Sequence, residues 1–158
     1  MSNVRVKKRN GSIEPMNLEK MHVMVERACS NLAGVSASQV EMQSGIQFYN
    51  GITTDEIQNI LIKSASDLIS LEQPNYQYVA ARLLLFSLRK SLYGKIFEIP
   101  HLKDHIDKCV ESGVYDPAVN DKFTIGEINE LEKYLDHDRD YLFTLSLIHI
   151  SEPTRRVL

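Results

Sequence analysis

Apolar and polar positions change period several times along the chain, and each change marks an element. Val4 and Val6 alternate with Arg5 and Lys7, the period of a strand with one covered face. Asn10-Gly11 then predicts a tight type I′ hairpin turn, because both residues accept positive φ. Ser12, Ile13 and Glu14 form the return strand, and Pro15, which cannot donate to a ladder, ends it. Asn17 stands where an N-cap belongs, and Leu18, Met21, Met24, Val25, Ala28, Cys29 and Leu32 recur at helical spacing, with Gly34 as a stop. A shorter helix follows, with Ser36 and Ser38 as N-cap candidates and Ser38 with Glu41 at capping-box spacing. It runs through Val40 and Met42 towards Ile46 and Phe48, and Asn50-Gly51 marks a turn.

Two stronger helices come next. Thr53 and Glu56 form a second capping-box pattern ahead of the stripe Ile57, Ile60, Leu61, Ala65, Leu68 and Ile69. Pro74 opens a helix in which Ala80, Ala81, Leu83, Leu84, Leu85, Phe86 and Leu88 leave little polar face, the mark of a central helix. Arg89-Lys90 closes it before Gly94, a cationic turn that suits the helix dipole. The expected fold is mainly α with a small β cap (α+β): over residues 1–93, a four-helix bundle capped by a short hairpin.

Residues 94–144 read as the beginning of another domain. Pro100 starts a helix through Leu102, Ile106, Cys109 and Val110 that Gly113 stops, and Tyr115-Asp116-Pro117 is a turn. Thr124 and Glu127 form a further capping box before Ile125, Ile128, Leu131 and Leu135. Two such helices cannot close a core of their own. The last stretch, LSLIHISEPTRRVL over 145–158, breaks the pattern. From Leu145 to Arg155 it resembles a translated transposon-end adapter of the kind used in sequencing libraries, so the native chain is expected to stop being represented near Thr144, and no function is drawn from His149 or its neighbours.

Composition narrows the partners more than the fold. Of the 158 residues 43% are hydrophobic and 25% charged, ordinary for a globular protein, and the net charge of −3 argues against a polybasic nucleic-acid arm or a membrane-surface peptide. The first twenty residues differ: Arg5, Lys7, Lys8, Arg9 and Lys20 face only Glu14 and Glu19. A positive field that local suits a small anion better than a long polyanion. Cys29 and Cys109 share no metal or redox spacing and fall at apolar helical positions, so buried free thiols in a cytoplasmic protein are expected. No apolar run approaches the roughly 20 residues of a membrane span, and the N-terminus lacks a signal-peptide core.

The hairpin cations support two readings: solvated lysines guarding an edge strand, or a phosphate site with converging partners. Lys90 at the end of the central helix and Thr54 at a helix N-terminus, where free N–H groups attract anions, are the candidate partners. Glu14 and Asn17 add an acceptor and an amide suited to a base edge. No GxxxxGK[ST] or GxGxxG occurs, so this is no P-loop or dinucleotide fingerprint. His101 and His105 lie i, i+4 beside Asp104 and Asp107, but without a third ligand they read as surface histidines rather than a metal pair. Asp136-His137-Asp138-Arg139-Asp140 reads as a self-paired charged helix end. No catalytic constellation emerges.

VKKRNGSIEPMNLEK, IQFYNGITTDEIQ and PNYQYVAARLLLFSLRKSLYG together resemble the ATP-cone at the N-terminus of the large subunit of class I ribonucleoside-diphosphate reductase. The likeness continues through HLKDHIDKCVESGVYDP to LDHDRDYLFT, covering residues 4 to 144, and LDHDRD after a cone is specific to that subunit. The resemblance implies an enzyme that reduces ribonucleoside diphosphates to deoxyribonucleotides for DNA synthesis. It uses a cysteine radical in a ten-stranded α/β barrel, a radical-generating small subunit beside a large-subunit homodimer, and thioredoxin or glutaredoxin as reductant. The cone is its overall-activity switch: ATP activates and dATP inhibits by changing subunit assembly, with Mg²⁺ accompanying the nucleotide.

Matched position by position, Lys8 and Arg9 would meet phosphates from the first strand and Lys90 from the last helix. Glu14, Pro15, Met16, Asn17, Leu18, Glu19 and Lys20 would form the loop around the base, with Glu14 and Asn17 as polar readers. Thr54 would contribute from its helix N-terminus, while Val6, Met21, Ile57 and Phe86 would line the pocket. Many nucleotide-regulated members carry histidines where this chain has Gln58 and Ser87, which bears on dATP inhibition more than on binding. The barrel and redox cysteines of the family are expected beyond Thr144, so this stretch alone should be inactive and neither Cys29 nor Cys109 takes those roles. Two rivals are weaker: an ATP-cone transcriptional repressor, whose four-cysteine zinc ribbon would precede the cone where only three residues precede Val4, and a helical interaction module with a vestigial site.

Overall fold

The computed structural model describes residues 4–147. Two strands, β1 (Arg5–Lys7) and β2 (Ile13–Pro15), pair antiparallel with Val6 opposite Glu14. Helices α1 (Leu18–Cys29) and α2 (Ala37–Gly45) follow, then β3 (Ile52–Thr53), α3 (Thr54–Asp67) and α4 (Tyr76–Tyr93). The third strand escaped the sequence reading. It pairs parallel with β1, giving the order β2-β1-β3, and only the α1–α2 crossover makes that neighbour relation possible. Two residues between a turn and a capping box carry no period of their own. Their strand character comes from β1: the Asn50 Oδ1 accepts from the Arg5 N–H at 2.9 Å and the Gly51 N–H donates to the Arg5 carbonyl at 2.8 Å.

The hairpin turn differs from the expected type I′. Asn10 does not take positive φ, whereas Gly11 does, at +84°. The Gly11 N–H donates to the Lys8 carbonyl at 2.9 Å and the Lys8 N–H to the Ser12 carbonyl at 2.8 Å, which makes a type I turn closed by a glycine bulge. The Asn10 side chain decides between the two, because its Oδ1 accepts from both the N–H (3.0 Å) and the hydroxyl (2.8 Å) of Ser12.

Helix ends follow local chemistry more often than not. Asn17 caps α1 through the Lys20 N–H at 2.9 Å, and Thr53 with Glu56 forms the full capping box of α3. The expected Ser38–Glu41 box does not form. Ser36 precedes α2 without a side-chain cap, and the Glu41 carboxylate meets His22 Nδ1 on α1 at 2.8 Å. Helix α1 also stops short of Gly34: Ser30 bonds back to the Arg27 carbonyl and Asn31 takes φ +58°.

Helix α4 is the central one. Tyr76, Val79, Ala80, Leu83 and Phe86 are fully buried in one cluster with Val25 and Ala28 of α1, Val40 of α2, and Leu61 and Ala65 of α3. Its two arginines, Arg82 and Arg89, are buried as well. Arg82 Nη1 donates to the Ala28 and Ser30 carbonyls at 3.1 and 2.7 Å, satisfying acceptors that the end of α1 leaves open, and its Nε reaches the Tyr141 carbonyl at 3.3 Å. The Tyr76 hydroxyl meets the Ser36 N–H and the Gln39 side chain.

Beyond α4 lie α5 (Leu102–Glu111), α6 (Ala118–Lys122), α7 (Ile125–Glu132) and a 3₁₀ helix over His137–Leu142. Thr124 and Glu127 form their capping box, and Ile106 and Ile128 are buried. Ile125 and Leu131, from the expected stripe, are 63% and 56% exposed. The charged run 136–140 is not closed on itself. Asp140 sits 4.0 Å from His137 but 2.9 Å from Arg89, whose guanidinium also lies 5.5 Å from the Tyr141 ring. Phe86 meets Tyr141 edge-on at 6.1 Å, and Leu145 packs on the core. The rest of the unusual stretch, from residue 148, lies outside the described residues.

The Arg89–Asp140 pair yields a stability prediction. Asp140→Ala strands a buried guanidinium and should cost about 2 kcal/mol, less than a fully buried pair because Asp140 is partly solvated. A thermal melt should show the midpoint falling by about 4–8 °C.

Candidate functional site

The β cap and the end of α4 bring the hairpin cations to Lys90. Lys8 and Arg9 begin the turn that leaves β1, Lys20 lies in the first turn of α1, and Lys90 sits in the last turns of α4. Lys90 is half-buried, and its ammonium makes no hydrogen bond or ion pair among the described residues. Its pKa is lowered from the usual lysine value, first by burial and then by the nearby charges of Arg9, Lys8 and Lys20, with Asp55 partly opposing them. Three cations thus bear on one half-buried amine.

The hairpin cations have carboxylate partners. Lys8 Nζ lies 3.4 Å from Glu14 Oε2 across the hairpin. Arg9 directs Nη2 and Nε to one oxygen, Asp55 Oδ1, at 2.7 and 3.0 Å, which joins the cap to the first turn of α3. Thr54, the first residue of α3, is half-buried beside this pair in sequence. The Glu56 carboxylate is held below the usual range by the Thr53 backbone N–H and hydroxyl, and it also accepts from the Tyr49 hydroxyl at 2.8 Å. That carboxylate is consumed by capping.

The expected base loop is arranged in a mixed way. Asn17 uses Oδ1 as a cap, leaving its amide NH₂ for another acceptor. Pro15, Leu18 and Glu19 are exposed, and the Met16 N–H donates to the Val4 carbonyl at 2.9 Å. Asn17, Glu19 and Lys20 border an open groove of about 580 Å³, completed by Val23, Met24 and the segment Lys95–Glu98. That volume lies within the range of small-molecule sites. Residues 95–98 were missed by sequence reasoning, since they follow the Gly94 C-cap and carry no motif. What folds them back is Phe97, stacked 4.0 Å under the Arg27 guanidinium and edge-on to Phe86 at 5.3 Å.

The four expected pocket-lining residues sit deeper. Val6 is buried beneath the sheet, Met21 and Ile57 are half-buried against the core, and Phe86 is fully buried between Phe97 and Tyr141. At the α3–α4 seam Gln58 Nε2 donates to the Leu83 carbonyl at 2.8 Å, and Ser87 lies one turn further along α4.

Other sequence candidates are occupied separately. His101 Nδ1 lies 3.1 Å from Glu132, whereas His105 packs edge-on to Tyr93 and lies 3.6 Å from Cys109 Sγ. Among the described residues no group of three His, Cys, Asp or Glu could hold a metal ion. Both cysteines are half-buried rather than buried, and burial pushes the Cys29 thiol up to about 11.

Comparison with known proteins gives the family. The ATP cone domain family matches residues 4–91, and the chain belongs to that family. Its relatives are then more particular. It is 47% identical over 146 residues to ribonucleoside-diphosphate reductase 1 subunit alpha of Escherichia coli, covering 92% of this chain and 19% of that protein. Over 143 residues it is 46% identical to the ribonucleoside-diphosphate reductase subunit alpha of Haemophilus influenzae, 90% of this chain and again 19% of the relative. The subunit alpha of Enterobacteria phage T4 is 47% identical over 115 residues, 72% of this chain and 15% of that protein. The chain thus spans about a fifth of the length of the relatives it matches. No helix among the described residues is long and apolar enough to cross a membrane.

A polyanion at this site should raise the pKa of Lys90, since opposite charge favours the ammonium form. In an NMR titration Lys90 should deprotonate below the ordinary lysine value, and added tripolyphosphate should move that midpoint upward. An unmoved midpoint would exclude phosphate from this amine.

Proposed function

We propose that this chain is the nucleotide-sensing module of a ribonucleoside-diphosphate reductase large subunit, binding ATP or dATP beneath the β cap. The observation that carries this reading is Lys90, half-buried, without an ion-pair partner among the described residues, and electrostatically coupled to Lys8, Arg9 and Lys20. Packing of the bundle does not call for such a convergence, because like charges gathered around a half-buried amine oppose folding. A triphosphate relieves the repulsion. Lys8, Arg9 and Lys90 would hold the phosphates, Thr54 would assist from the start of α3, and Glu14 with the amide of Asn17 would read the base. Mg²⁺ would accompany the nucleotide, lowering the charge the cations must balance.

Under this reading ATP activates the parent enzyme and dATP restrains it through subunit assembly. Gln58 and Ser87 stand at the α3–α4 seam where histidines are expected, and the Gln58 amide is committed to the Leu83 carbonyl. A weakened or absent response to dATP follows, with binding itself retained. Reduction of ribonucleoside diphosphates belongs to the longer cytoplasmic protein, acting as a homodimer with a radical-generating small subunit. A half-buried Cys29 whose thiol is pushed up to about 11 is not poised as a nucleophile.

Calorimetric titration of the 158-residue chain with ATP and with dATP tests the binding. Heat should be released with either nucleotide, and Lys8→Ala combined with Lys90→Ala should weaken affinity by about a hundredfold, two charge-assisted contacts at about 1.4 kcal/mol each. No heat at millimolar nucleotide would exclude the reading, and unchanged affinity in the double variant would favour a site elsewhere.

A further inference from the structure

Asp55 is an acid placed among cations. It sits in the first turn of α3, held there by the Thr53–Glu56 capping box, and its side chain is 60% exposed. Both donors of Arg9 converge on its Oδ1, at 2.7 and 3.0 Å, and its charge is also felt at Lys90. Glu14 pairs with Lys8 inside the same hairpin, whereas Asp55 reaches Arg9 from a different element. The Arg9–Asp55 bridge therefore fastens the cap to α3 with the guanidinium that a phosphate would need.

We propose that Asp55 is an internal competitor for the phosphate-binding arginine, so that a nucleotide triphosphate enters only by displacing this carboxylate from Arg9. This rests on the nucleotide reading of the site and adds the device that sets its threshold. The displaced carboxylate cannot retreat far, because its backbone is fixed by the capping box between Thr53, two residues before it, and Glu56, the next residue. It stays close to the incoming phosphates and opposes them, as like charges do. Exchange also replaces a bond between cap and α3 by contacts that run through the ligand. Affinity is held down in return for a site that responds at higher nucleotide concentration.

The test is calorimetric titration of the full chain with ATP, comparing wild type, Asp55→Asn and Asp55→Glu at low and high ionic strength. Asp55→Asn should bind about threefold to tenfold more tightly at low salt, the scale of an exposed ion pair plus a nearby repulsion. The gain should narrow at high salt, where exposed charges are screened. Asp55→Glu, which keeps the charge, should bind as wild type. In an Arg9→Ala background the gain from Asp55→Asn should shrink, because no guanidinium remains to be freed. Equal or weaker binding by Asp55→Asn overturns the competitor role while leaving the nucleotide site intact. So does an undiminished gain in the Arg9→Ala background. Absence of binding by every chain overturns both readings.

Discussion

The buried guanidinium of Arg82 is the interaction on which the rest of the structure depends. It lies on α4, surrounded by apolar side chains, and a desolvated cation there is tolerable only with its donors satisfied. The acceptors come from two distant stretches: the carbonyls of Ala28 and Ser30 where α1 ends, and that of Tyr141 in the 3₁₀ helix. One side chain therefore ties the end of α1 to the 3₁₀ helix that begins within LDHDRD. Two turns later Arg89 repeats the arrangement with Asp140. With both arginines satisfied, α4 becomes a rigid post, and Lys90 stands at its far end.

Lys90 is the complement of those arginines. Adjacent to Arg89 in sequence, it turns towards the β cap instead of the 3₁₀ helix, and it meets cations where Arg89 meets a carboxylate. Helix geometry accounts for the contrast, since neighbours in sequence lie about 100° apart around the axis. One turn of α4 thus carries a structural ion pair on one side and an electrostatically strained site on the other. A change in charge at Lys90 acts on the same turn that holds the 3₁₀ helix. Under the proposed reading, that turn is the physical route by which nucleotide binding reaches beyond the cap, through packed groups with a defined geometry.

Much of this was legible from local chemistry. The capping boxes at Thr53 and Thr124 and the Asn17 cap formed as read, because each joins groups three residues apart whose geometry a helix start imposes. Failures occurred where a distant partner outbid a local one. Glu41 left Ser38 for His22, Asp140 left its own charged run for Arg89, and α1 ended at Cys29, where Arg82 takes up the freed carbonyls of Ala28 and Ser30. The type I′ turn failed for a local reason, the Asx bonds of Asn10 to Ser12. Residues 95–98 and β3 were invisible because short segments take their conformation from what they pack against.

By itself, then, the sequence determined the period of each element, the central place of α4, the basic character of the hairpin and the family to which the chain belongs. Those properties reside in spacing and residue type, which survive without coordinates. The tertiary structure alone decided which charges meet. Arg9 could have faced solvent, and Arg89 and Lys90 looked like one cationic turn. Only the packing of the cap and the 3₁₀ helix against α4 separated a paired arginine from a lysine whose ammonium has no ion-pair partner among the described residues. Electrostatics depends on distance and burial, and neither can be read from the order of residues.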